Sequence, residues 1–241
     1  MADLGSIALG VFGLWQGAKA LHRGLTSGGE VQLAEAAPVS HQLPGRPGVP
    51  GRSGAVQGKA RVKTYEVKSL DDRIRYIASM AKKGRLDPRM REFTVKLVSQ
   101  RCGSGWCTPE KNWRAEAEAV FKGLRGKYYR YVRDTYGVDL YQHPLRTVDF
   151  GGGDCDDAAI LLASALGSIG FKVKARVIMT KDADDWNHIY NLVEIPGAGG
   201  AGNEASGKGA LWLPMDLSMD KPPGWEAPAS MVKRRRDYSL G

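Results

Sequence analysis

The chain has 241 residues, 42% of them apolar, which is enough for a buried core and excludes wholesale disorder. Its 35 Lys plus Arg stand against 26 Asp plus Glu, a net charge of +9 that favours an acidic partner: nucleic acid, an anionic membrane face or an acidic protein surface. The three cysteines, Cys102, Cys107 and Cys155, do not form a disulfide framework, and a reducing compartment is expected.

Residues 1–23 are apolar and glycine-rich. An acid comes early and no basic stretch precedes the apolar run, which argues against a secretory signal. The run from Leu4 to Trp15 is also shorter than the ~20 residues a membrane span needs. Ile7, Val11, Leu14 and Trp15 fall along one side of a helix. The segment reads as a docking peg for a partner or a membrane, the alternative being packing on its own domain. Residues 24–64 read as a linker, rich in Pro and Gly and without helical or strand period. Between Ala36 and Tyr65 there are five Lys or Arg and no acid. That gives either a basic extended arm tracking phosphates or an acidic groove, or a solvated tether.

Residues 65–241 read as one α+β domain. "SLDD" at Ser69 is a helix-capping start, followed by Leu70, Ile74, Ile77 and Met80 at helical spacing and a stop at Gly84. Asp87-Pro88 starts a second helix carrying Met90, Phe93, Leu97 and Val98. Thr108-Pro109-Glu110 starts a third, carrying Trp113, Ala117, Val120, Phe121 and Leu124. "KYYRYVRD" reads as a short strand. A helix follows Cys155 and ends at Gly170. The period then changes to two: "FKVKARVIMT", "NHIYNLVEI" and "ALWLPMD" are three successive strand runs. Helices followed by consecutive strands predict helices packed on an antiparallel sheet.

The stretch "GGGDCDDAAILLASALGSIG" carries the chemistry. Cys155 stands after a glycine run at a helix start, where backbone amides and the helix dipole stabilise a thiolate. Glycines let a substrate carbonyl approach, and the Cys155 N–H can face a developing oxyanion. Asp154, Asp156 and Asp157 oppose this, since their charge raises the thiol pKa. A thiol nucleophile needs a base, and that base needs an orienting acceptor. His188 lies on one strand run and Asp216 ends the next, so antiparallel pairing lets them face each other. Cys155, His188 and Asp216 thus have the order and elements of a papain-like triad. Gln142 and Trp186, and less so Asn187, are candidates for a second oxyanion donor, with ordinary packing as the alternative.

Other clusters carry less. Cys102 and Cys107 lack a second zinc-binding pair and read as two half-buried thiols at a helix–helix turn, or a local disulfide in an oxidising setting. Carboxylates adjacent in a helix's first turn diverge, so no metal is expected at Asp154, Asp156, Asp157 and His188. No cofactor is expected either. "VKRRRDY" near the C-terminus either binds phosphates or keeps a tail solvated. The glycine-rich stretch before "ALW" reads as a hairpin loop.

Taken in order, "GGGDCDDAAILLASALGSIGFKVKARVI", "WNHIYNLVEI" and "WLPMD" resemble the core of the transglutaminase-like superfamily of papain-like cysteine proteins. The resemblance implies a papain-like/transglutaminase-like core, with Cys155 as nucleophile, His188 as base and Asp216 as its orienter. It implies acyl transfer or hydrolysis at amide or peptide bonds of a protein substrate; some members are silent scaffolds. Between about residues 65 and 235, "RCGSGWCTPEKNW", "DTYGVDLYQHP" and "DLSMDKPPGWE" are similar to transglutaminase-like proteins encoded by tailed bacteriophages. That implies a virion protein made in the bacterial host cytoplasm; residues 1–64, which the likeness does not cover, read as an extended N-terminal arm meeting other virion proteins. A catalytically silent virion structural or assembly protein is the alternative. A nucleic-acid module is third, supported by charge alone.

Overall fold

The computed structural model of the protein describes residues 29–34, 62–135, 139–197 and 211–241. The docking segment expected at residues 1–23 lies outside these. Two strands and three helices come first: β1 (Gly29–Ala34), β2 (Val62–Val67), α1 (Leu70–Leu86), α2 (Pro88–Val98), then, after the two-residue strands β3 (Arg101–Cys102) and β4 (Gly105–Trp106), α3 (Trp113–Leu124). The short strands β5 (Arg130–Tyr131), β6 (Asp139–Gln142) and β7 (Gly152–Gly153) surround α4 (Pro144–Phe150). Helix α5 (Cys155–Ser168) and strands β8 (Val173–Thr180), β9 (His188–Ile195), β10 (Leu211–Met215) and β11 (Val232–Ser239) complete the order.

Local chemistry sets the helix ends. The Ser69 hydroxyl accepts the Asp72 N–H at 3.1 Å and opens α1 as its sequence predicts. Asp87 accepts the Arg89 N–H at 2.9 Å, with Pro88 as the first helical residue of α2. Helix α3 starts later than Thr108-Pro109 suggests. Lys111 takes a left-handed φ of 57°, and the Asn112 side chain then caps by accepting the Ala115 N–H at 3.0 Å. Gly84, read as a stop, lies inside α1. A Cβ there would collide with Ser164 and Pro144, so this glycine is where α1 closes onto α5 and α4.

Helix α5 is the hub. Every residue from Cys155 to Leu166 is buried, which fits a helix that is apolar round most of its length after the two first-turn acids and covered on all sides. Helices α1, α2, α3 and α4 and strands β8 and β9 all pack against it. Burying each of its Leu and Ile side chains contributes about 1.5–3 kcal/mol before the entropy cost of ordering them.

The main sheet runs β10–β9–β8–β11, each neighbour antiparallel. The three strands expected from the sequence are there, and the fold is α+β with helices on an antiparallel sheet. The fourth, β11, is the "VKRRRDY" stretch read as a basic tail. It is an edge strand exposed along most of its length, so it carries no apolar alternation. Pro214 is tolerated because β10 is the opposite edge. A second sheet runs β2–β1–β6, with β1–β2 antiparallel and β1–β6 parallel. Strand β1 therefore sits inside the stretch read as linker. Its six residues, GEVQLA, are too short a run to outweigh their Pro- and Gly-rich surroundings.

Cys102 and Cys107 are joined in a disulfide that closes the β3–β4 hairpin, not left as two thiols. Among the described residues, no helix is long and apolar enough to cross a membrane.

Candidate active site

The glycine run before Cys155 has packing reasons, and this revises the expectation that it serves substrate approach. Gly151 ends α4 with φ 80°, a left-handed conformation natural to glycine. A Cβ on Gly152 would stand 2.6 Å from the Arg130 carbonyl, and one on Gly153 would strike the Asp157 side chain. The run therefore lets β7 lie against β5 while Asp157 folds beneath it. Tyr129 locks the turn from the other side. Its buried hydroxyl lies 2.9 Å from both the Gly153 and the Asp154 carbonyl oxygens.

From this turn α5 starts at full burial. Asp154 is the cap: its Oδ1 accepts the Asp156 N–H at 3.0 Å and the Asp157 N–H at 3.4 Å. Asp157 turns toward β6, accepting the Gln142 backbone N–H at 2.7 Å and its side-chain amide at 2.6 Å. The same Gln142 nitrogen also meets the Gly152 carbonyl at 3.4 Å. Gln142, a candidate oxyanion donor, thus directs its amide at the helix start and braces Asp157. Asp156 has neither carboxylate oxygen hydrogen-bonded, although it is fully buried. Adjacent acids here do not all diverge. One ligand atom each of Asp154, Cys155 and Asp156 lies within 4.8 Å of the other two.

Burial pushes Asp156 and Asp157 up to about 7. The neighbouring Asp157 raises Asp156 further, while the hydrogen bonds from Gln142 hold Asp157 down. Asp154 is driven well above the usual carboxylate range by burial and then by Asp156 and Asp157. Arg73 favours the charged form of Asp156, but it is itself buried and paired with Asp139. The Cys155 thiol, 3% exposed, is pushed up by burial and then by Asp156, Asp154 and Asp216. The Ile189 backbone N–H opposes this by hydrogen bonding to the sulfur.

That last contact ties α5 to β9, because Ile189 follows His188 in the chain. Asn191 makes a second tie, donating to the Ala159 carbonyl at 3.2 Å. Across the sheet Met215 stands opposite Asn191, so Asp216 lies one residue beyond the paired end of β10. It reaches diagonally to His188, whose Nε2 is 2.6 Å from Asp216 Oδ2. The other carboxylate oxygen accepts the Ser218 N–H at 3.0 Å and the Ser218 hydroxyl at 2.7 Å. Asp216 is thereby fixed at both oxygens in a buried position.

The structure therefore pairs His188 with Asp216 and brings the backbone beside His188 onto the Cys155 sulfur. Trp186, the other candidate donor, is buried just before β9, with Arg236 stacked 5.5 Å from its ring. Asn187 turns away from the site, its side chain holding Thr180 through the Thr180 N–H and hydroxyl. Three contributors escaped the sequence reading: Tyr129, Ile189 and Ser218. Only Ser218 had a readable signal, because Asp-x-Ser suits a local turn closed on the Asp side chain.

No protein-family model matches the chain, and no match was found among the curated proteins or the solved structures.

Proposed function

We propose that this protein is a cysteine acyl-transfer enzyme with a papain-like/transglutaminase-like core. Cys155 attacks an amide or peptide carbonyl of a protein substrate, and a thioester forms. Asp216 holds Nε2, so Nδ1 is the ring nitrogen that takes the thiol proton and returns it to the leaving amine. Water or an amine then resolves the thioester, and the Cys155 N–H at the start of α5 faces the oxyanion. The observation that carries this reading is the 2.6 Å His188–Asp216 pair, one residue from an amide bonded to the sulfur. The phage-protein likeness of the sequence supports a place in a virion, with residues 1–64 meeting other virion proteins and the excess positive charge meeting an anionic surface.

A second reading has its own observation. The thiol is almost wholly buried and is pushed toward its protonated form. A catalytically silent virion structural or assembly protein would keep such a thiol without using it.

Iodoacetamide labelling at graded pH separates the two. The enzyme reading expects selective modification of Cys155 near neutral pH, lost in His188→Ala. Slow labelling of Cys155, unchanged in that variant, leaves only the silent reading.

A further inference from the structure

We propose that Asp154, Cys155 and Asp156 form a buried site for one thiophilic divalent cation of the zinc class, bound through the sulfur and one oxygen of each carboxylate. The three ligand atoms lie within 4.8 Å of one another. A tetrahedral Zn²⁺ with ~2.3 Å to sulfur and ~2.1 Å to oxygen needs its ligands roughly 3.5 Å apart, so small side-chain adjustments suffice. The independent pointer is Asp156. It is fully buried, and both of its oxygens lack any hydrogen-bond partner. A buried carboxylate with nothing to hold it is rare, and a missing ion is one recognised cause.

Three of the charges around it are anionic, and the cation acting on it, Arg73, is already paired with Asp139. Asp154 at the cap and Asp157 on α5 flank it, and Asp134 adds its charge. Asp134 accepts the Leu140 N–H at 2.6 Å, Asp157 is held by Gln142, and Arg73 is engaged with Asp139. Asp156 alone among these acids keeps both oxygens for another ligand. The positive end of α5 works against a cation, with a partial charge of about +0.5, but three anionic ligands outweigh it. A thiolate among the donors selects zinc or cadmium over calcium or magnesium. Tyr131, 47% exposed, pairs with Gly153, so the cluster lies close beneath the surface.

Binding replaces the thiol proton, which leaves to the buffer, by a sulfur–metal bond, with no change of oxidation state. The site does not require Cys155 to be a nucleophile. Where the acyl-transfer reading holds, the cation caps the thiol and blocks it reversibly.

Cadmium is the probe, because a cadmium–thiolate bond gives an ultraviolet charge-transfer band. Cys102 and Cys107 are in a disulfide, so without reductant Cys155 is the one thiol that can produce it. Titration of the full chain with Cd²⁺ is expected to give a band saturating at one equivalent, displaced by Zn²⁺ and absent in Cys155→Ser. Asp156→Asn is expected to weaken binding at least about tenfold while circular dichroism stays unchanged. Should that variant misfold, Asp154→Ser, which keeps a capping hydroxyl, is read by the same criterion. No band at equimolar Cd²⁺, or equal affinity in the carboxylate variant and the parent, overturns the site. Asp216→Asn keeps all three ligands and is expected to keep the band while losing selective thiol labelling. Failure of the metal site and failure of the acyl-transfer reading are thus seen separately.

Discussion

His188 and Asp216 meet at 2.6 Å across the ends of two neighbouring strands, and Ser218 holds the carboxylate oxygen that His188 does not use. The ring's orientation is therefore set two residues downstream of the acid. Ser218→Ala removes one of two donors to that oxygen, a hydrogen bond to a charged group worth about 1.5–3 kcal/mol. Part of this loss falls on placing the imidazole. The expected outcome is a fall of about tenfold in the neutral-pH labelling rate of Cys155, with the melting temperature lowered by a few degrees at most. Ser218→Thr, which keeps the hydroxyl, should restore most of the rate. An unchanged rate in Ser218→Ala would show that this oxygen's partner does not govern the ring.

Tyr129 is the other anchor, since its hydroxyl serves two buried carbonyls in the turn before Cys155. Tyr129→Phe keeps the ring and leaves each carbonyl with one backbone donor, the Val132 N–H on Gly153 and the Ala158 N–H on Asp154. The cost is that of a hydrogen bond whose acceptors stay satisfied, about 0.5–1.5 kcal/mol, or roughly 1–6 °C in melting temperature for a domain of this size. A thermal melt measures it. A change below a degree would mean that the backbone donors alone hold the turn.

What could be read from residues alone follows a physical divide. The inner faces of α1, α2 and α3 and the alternation of β8 were legible because burial imposes a period, and Ser69 and Asp87 announced their helices through caps. Cys155, His188 and Asp216 were legible as residue types in an order. Their spacing could not reveal that Asp216 reaches His188 diagonally, because that depends on the β9–β10 register. Strand β11 was hidden by its exposure, and β1 by its setting and by a parallel partner more than a hundred residues away. Asp157 looked like a helix-start acid; its grip on Gln142 needs β6 and α5 side by side.

The Cys102–Cys107 bond is checked by counting thiols. Unreduced protein in denaturant is expected to give one reactive thiol per chain, and three after reduction. By loop-closure arguments a short cross-link of this kind stabilises by about 2 kcal/mol. The Cys102→Ser/Cys107→Ser protein should therefore melt several degrees lower. Three thiols without reductant would return these residues to the free state that the sparse cysteine content first suggests.

The acidic start of α5 fixes how stability depends on pH in chelator-treated protein. Asp156 and Asp157 are held up to about 7 in the fold, against an ordinary carboxylate value of 3.8. Between those values the folded protein binds more protons than the unfolded chain, so folding stability falls as pH rises from about 4 through about 7, and Asp154, shifted the same way, adds to the fall. Asp72 and Asp87 are shifted the other way, lowered by hydrogen bonds, and their effect is confined to the acid side of the ordinary range. The melting temperature is therefore expected to be higher near pH 5.5 than near pH 8. Asp156→Asn removes a charge without removing a hydrogen bond, because neither oxygen makes one. It should raise the melting temperature near pH 8 and leave it almost unaltered near pH 5. A parent protein as stable at pH 8 as at pH 5.5, or an Asn variant that melts lower at pH 8, would mean that Asp156 is not a buried, uncompensated acid.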